Sequence, residues 1–173
     1  MQDPVTSPRA SGRPADPATG NLLSGAPDCG AVFDVQNEAS RRLVQAFLQC
    51  APAYGLNPVV IGVDKKKGDK AALSIPYTRV TRDDVNLFGG LKNKRPAKDF
   101  ALRPFALLVD LSLSPCRIAD KILRASRARF KVGVDKSSDL FDFRFMLPEE
   151  AQATPEVFDE LLSCLGKIDL PRP

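Results

Sequence analysis

Apolar residues occur in this chain as short blocks that alternate with longer stretches of helical periodicity. Ala31-Val32-Phe33-Asp34-Val35 is an apolar run interrupted only by a carboxylate, the pattern of a strand buried on both faces. From Glu38 to about Ala53, Leu43, Val44, Phe47 and Leu48 recur at helical spacing. Asn37 stands at the N-cap of that helix, Glu38 suits its positive end, and Gly55 suits the position just past its end. Pro58 to Asp64 predicts a second buried strand and Ile75 to Val80 a third. Thr81-Arg82-Asp83-Asp84 reads as a capping box that opens a short turn or helix. Asn93 to Leu102 predicts a short helix, and Phe105 to Leu111, the most apolar block, a central strand. Ser114-Pro115 reads as a helix start, with serine as cap and proline at the first helical position. Ile118, Ala119, Ile122, Leu123 and Ala125 mark the buried face of that helix. Arg129 to Val134 is the next strand, and Leu140 to Leu147 a final edge strand of antiparallel sense. Thr154-Pro155 caps a last helix, with Val157, Phe158, Leu161, Leu162 and Leu165 as its stripe.

The repeated strand and helix units predict an α/β fold: a single Rossmann-like three-layer domain with a mostly parallel sheet of about five to six strands and helices on both faces. The domain is expected to span residues 29–170. Residues 1–28 hold five of the fifteen prolines together with Ser, Ala, Gly and Thr, and read as a disordered leader.

Composition narrows the chemistry. The chain has 173 residues and no histidine, so Ser-His-Asp and Cys-His nucleophile systems cannot be built from it alone. The four cysteines, Cys29, Cys50, Cys116 and Cys164, are widely spaced, which argues against a zinc site and against a disulfide framework and suggests reduced thiols in the cytoplasm. No signal peptide and no apolar stretch of membrane-spanning length stands out. Neither GxGxxG nor GxxxxGK[ST] occurs, and Gly89-Gly90 reads more readily as a plain turn than as a phosphate cradle, so no cofactor and no metal is predicted.

Ligands of open parallel sheets sit beyond the carboxyl ends of the strands, where the strand order reverses. The candidate ligand residues are therefore Asp34, Asn37, Asp110, Ser112, Ser114 and Gly133. Asp34 and Asp110 on neighbouring strands would form a carboxylate pair for acid–base work or Mg²⁺ binding. The plainer reading is that such residues cap loops and helices. Cys116 falls near the first turn of a helix beside Arg117, where a thiol becomes reactive unless it is buried.

Charge is the more informative feature. Between Lys65 and Lys131 there are 17 Lys or Arg against 6 Asp or Glu, whereas from Asp135 onward there are 4 against 9. Arg117, Lys121 and Arg124 fall on one helix face, and Lys92, Lys94, Arg95 and Lys98 form a second cluster. Such a face suits an anionic partner such as RNA, a ribosome or an acidic protein, although basic helix faces are often merely solvated.

The central segment also carries a resemblance. Phe105-Ala106-Leu107-Leu108-Val109-Asp110-Leu111-Ser112, then Ala128-Arg129-Phe130-Lys131-Val132-Gly133, then Leu140-Phe141-Asp142-Phe143, is similar to the LIDLS, AKFKVG and YDL pattern of a small uncharacterised domain-of-unknown-function family of Bacteroidota bacteria. Phe141, where tyrosine is common, and Val134, where arginine often follows the glycine, depart from it. A fainter likeness is to the N-terminal Rossmann half of heptosyltransferase-like glycosyltransferases, which hold their sugar nucleotide on a second domain for which this chain leaves no room. The resemblance implies the fold and carries no site. The leading expectation is a non-catalytic binding or scaffold protein with a basic face. A small transferase or hydrolase for a phosphorylated substrate, using Asp34 and Asp110, is the alternative, and pairing through the edge strand near Leu140 a third.

Overall fold

In the computed structural model, residues 19–25, 27–65, 73–136, 138–148 and 153–171 are described. Six strands, β2 (Cys29–Asp34), β3 (Val59–Val63), β4 (Thr78–Val80), β5 (Leu107–Asp110), β6 (Phe130–Val134) and β7 (Phe143–Phe145), form one sheet in the order β4-β3-β2-β5-β6-β7. Every pairing in it is parallel. The chain winds outward from β2 in one direction, returns to β5 and winds outward in the other, so the strand order reverses between β2 and β5. This is the doubly wound arrangement characteristic of Rossmann-like folds.

Helices α1 (Glu38–Cys50) and α4 (Pro155–Leu165) pack together on one face, and α2 (Pro96–Leu102) and α3 (Arg117–Ala125) on the other. The alternation of strand side chains explains the two cores. Ala31, Phe33, Leu107, Val109 and Val132 meet Phe47 and Phe158 on the α1/α4 face. Val32, Ile61, Val63 and Leu108 meet Phe100, Ile122 and Leu123 on the other. The rings of Phe47 and Phe158 meet edge-on with centroids 5.4 Å apart, a geometry worth about 1 kcal/mol beyond the area it buries. A sheet buried on both faces needs apolar strands, as β2 and β5 are up to the aspartate that ends each.

Local signals hold at several ends. Asn37 caps α1 by accepting from Ser40 N at 3.0 Å. Gly55, at φ 71°, closes the short 3₁₀ turn that extends α1. Thr81 and Asp84 form the capping box around a 3₁₀ turn at Arg82–Asp84.

Three expectations are corrected. Ser114 does not cap α3; the chain stays irregular to Cys116, which occupies the cap position without a side-chain bond, and the helix begins at Arg117. The strand in the Leu140–Leu147 segment is parallel, because β7 lies against β6 in the same sense. The ordered fold also starts before residue 29. Strand β1 (Thr19–Asn21) pairs antiparallel with β8 (Asp169–Pro171), and Leu22 and Leu23 are buried in the α1/α4 core. A strand whose partner lies at the far end of the chain leaves no local periodicity to read. Residues 1–18 and the basic loop at 66–70 lie outside the described residues.

Candidate anion-binding site at the carboxyl edge of the sheet

Asp34 ends β2 and is almost wholly buried. Its Oδ1 accepts from Gln36 N at 2.9 Å. Its Oδ2 accepts from Ser114 Oγ at 3.0 Å and lies 2.7 Å from Lys65 Nζ. Lys65 Nζ also donates to Ser114 Oγ at 3.1 Å. The hydroxyl freed by the late start of α3 thus reaches across the switch point to the neighbouring strand. Beneath it, buried Ser40 accepts from Asp34 N and donates to Leu111 O, both at 2.8 Å. These bonds stitch the ends of β2 and β5 together, so the chain's own groups fill the crevice expected for a ligand.

Asp110 ends β5 and is fully buried. Its Oδ1 accepts from Ser112 N at 2.9 Å and from Ser112 Oγ at 2.6 Å. Its Oδ2 accepts no hydrogen bond among the described residues, and Lys136 Nζ stands 3.6 Å away. Burial pushes this carboxyl above its ordinary value, and the Lys136 charge and the Ser112 bonds only partly pull it back. Asp34 and Asp110 do end adjacent strands, but each is engaged with its own serine and lysine. Asn37 is occupied as a cap. Gly133 leaves room for a ring of this same chain: a Cβ there would stand 2.6 Å from Phe141.

The open space lies to one side of the switch point. A cavity of about 590 Å³ is lined by Lys65, Arg82, Asn86, Cys116, Arg117 and Lys121, with Val85, Pro115 and Ile118 as its apolar wall. Lys65 follows β3, Arg82 follows β4, and Arg117 and Lys121 lie one turn apart at the start of α3. Among the described residues, four cations and no carboxylate line the cavity, and the positive end of α3 adds to their field. Lys65 is shared with Asp34, so that carboxylate holds one cation in place from below. Burial raises the Cys116 thiol above its ordinary value, although backbone N–H groups of Ala119 and Ile118 and the Lys65 charge oppose this. That environment suits a packed thiol rather than a nucleophile.

Of the basic residues read from the sequence, Arg117 and Lys121 line the cavity. Arg124 is exposed toward the far end of α3. Arg95 is 3.8 Å from Asp84, and Lys98 donates to Asn93 at 2.5 Å. Lys92 and Lys94 are exposed near the start of α2. Sequence reasoning did not place Lys65, Arg82 or Asn86 in a site. Lys65 had a usable signal, since it directly follows the Asp64 that closes the second buried strand predicted from the sequence.

Fold and site together define the class: an α/β protein of Rossmann-like topology with a cationic cavity at the carboxyl edge of its sheet. Residues 16–168 match the model of a family of unknown function, DUF6913, and the chain belongs to that family. Neither the comparison with curated proteins nor that with solved structures gives a match. No helix among the described residues is long and apolar enough to cross a membrane.

Proposed function

We propose that this is a non-catalytic cytoplasmic binding protein whose basic face receives a phosphate-bearing ligand of nucleotide size in the cavity beside α3. The observation that carries the reading is the convergence of Lys65, Arg82, Arg117 and Lys121 with Asn86 on one concave surface that no carboxylate lines among the described residues. Guanidinium and ammonium groups pair with phosphate oxygens through charge-assisted hydrogen bonds. The volume falls in the range of small-molecule pockets, roughly 300–1,000 Å³. Concavity therefore favours a bounded anion over the RNA, ribosome or acidic protein that the charge alone suggested.

Titration calorimetry with AMP and with inorganic phosphate tests this. AMP binding should weaken as salt rises, and R117E/K121E should reduce it by roughly tenfold or more. Failure of both probes to bind, or equal binding by the variant, would overturn the proposal.

One observation favours the alternative of a small transferase or hydrolase. Ser114 Oγ, held by Asp34 and Lys65, adjoins Pro115 on the cavity wall. Release of phosphate from a phosphorylated substrate by the wild type, and its loss in S114A, would move the reading from binding to catalysis.

A further inference from the structure

Beside the cavity, the segment between the Arg82–Asp84 turn and α2 forms a narrow loop whose base is the antiparallel bridge Val85↔Leu91. Asn86 braces it three times. Its N donates to Gly90 O at 2.9 Å, its carbonyl accepts from Gly89 N at 3.0 Å, and its Oδ1 accepts from Gly90 N at 2.8 Å. Gly89, at φ 84°, supplies the left-handed step that closes the turn. The two residues at the tip are Leu87 and Phe88, and both are almost fully exposed, Phe88 at 97%. Turn tips are ordinarily polar, because an exposed leucine and phenylalanine there gain nothing from the fold. A turn held by its own hydrogen bonds keeps the pair together instead of letting it fold back onto the core.

Among the described residues, two cations stand against this loop. Lys92 lines the same shallow cleft as Leu87 and Phe88. Lys121 Nζ lies 2.9 Å from where a Cβ on Gly89 would stand, which brings one α3 charge up to the loop. Arg82, Lys94 and Arg95 are exposed in the same stretch of chain. Asp83 is its one exposed acid, and Asp84 is buried within its capping box.

We infer that this loop is a docking tip for an anionic lipid bilayer: Leu87 and Phe88 enter the boundary between headgroups and acyl chains while Lys92, Lys94 and Arg95 meet the headgroup phosphates. A protruding apolar tip needs a matching groove on a protein partner, whereas fluid lipid closes around it. The local excess of positive charge complements an anionic surface and gives the apolar pair a partner of defined chemistry. The inference does not depend on the cavity's ligand, because Leu87, Phe88, Lys92 and Lys94 are not among the residues lining that cavity.

Cosedimentation of the full chain with vesicles tests it, using phosphatidylcholine alone and phosphatidylcholine mixed with phosphatidylglycerol, at low and high salt. The expected result is binding to the mixed vesicles only, weakened by salt. L87S/F88S should lower that binding about tenfold, and K92E/K94E should do so at least as strongly. Both pairs are exposed, so unchanged thermal midpoints should show that the variants remain folded. Absence of binding to the mixed vesicles at low salt, or undiminished binding by folded L87S/F88S, overturns the inference. A chain that binds AMP but no vesicle keeps its cavity function and loses its membrane role; one that binds vesicles but not AMP does the reverse.

Discussion

Asp34 and Asp110 end neighbouring strands, and each has a serine and a lysine within reach, yet their surroundings differ. Around Asp34, both carboxylate oxygens accept hydrogen bonds, and its lysine also lines the open cavity. Around Asp110, one oxygen accepts no hydrogen bond among the described residues, the lysine stands off at 3.6 Å, and burial works against the charged form of the carboxyl. Each half also has a glycine packed beneath a ring of this chain. Tyr77 covers Gly62 on the β3 side, and Phe141 covers Gly133 on the β6 side. The open half stays open because the Arg82–Asp84 turn and the late start of α3 leave space between them. Like residues at like strand ends thus serve as a support for a charged cavity in one half and as a buried plug in the other.

The largest expected effect that breaks the comparison is Asp34→Ala. It strands Lys65 without its carboxylate and removes acceptors from Ser114 and Gln36 N, and should cost about 3 kcal/mol in urea unfolding. Asp110→Asn should cost far less, since burial already works against the charged form of the carboxyl it replaces. The glycines come next. Gly62→Ala and Gly133→Ala each set a Cβ 2.6 Å from a ring, and each should cost about 2 kcal/mol as the ring is displaced. A much smaller loss at either would show that its ring has room to yield.

A pH series sharpens the contrast further. Because the folded carboxyl of Asp110 lies above its ordinary value of 3.8, the native state holds that proton more tightly than the unfolded chain. Its contribution to stability is full below 3.8 and declines as pH rises toward the raised folded value. The stability of wild type relative to Asp110→Asn should therefore fall over that window, and a flat difference would refute the buried-acid assignment. The smallest effect belongs to Lys121→Ala, which should change stability by less than about 0.5 kcal/mol. It should still weaken AMP binding severalfold, and calorimetry beside thermal unfolding would separate the two.

The strands and helices were legible because their signals are local. Two-sided burial makes β2 and β5 apolar up to their closing aspartates, and Asn37, Gly55 and Thr81 mark their element ends through bonds to residues close in sequence. Ser114 misled for the same reason. Serine before proline is a sound local start signal, but Asp34, 80 positions away, competes for the hydroxyl. Strand β1 escaped notice because it forms against Asp169–Pro171.

The site was less legible than the fold. Its charge showed as the basic middle of the chain, and Arg117 and Lys121 could be picked out by their spacing on one helix. Lys65 and Arg82 come from other elements, and only the packing of β3, β4 and α3 brings all four cations to one concavity.

By itself, then, the sequence determined a layered α/β chain with a parallel sheet, a basic middle and carboxylates at strand ends, because periodicity, capping and charge are written in neighbouring residues. Only the tertiary structure decided which carboxylate is buried, which lysine faces a cavity and where that cavity opens. Those outcomes depend on contacts between residues far apart in the chain, and the order of the strands sets them.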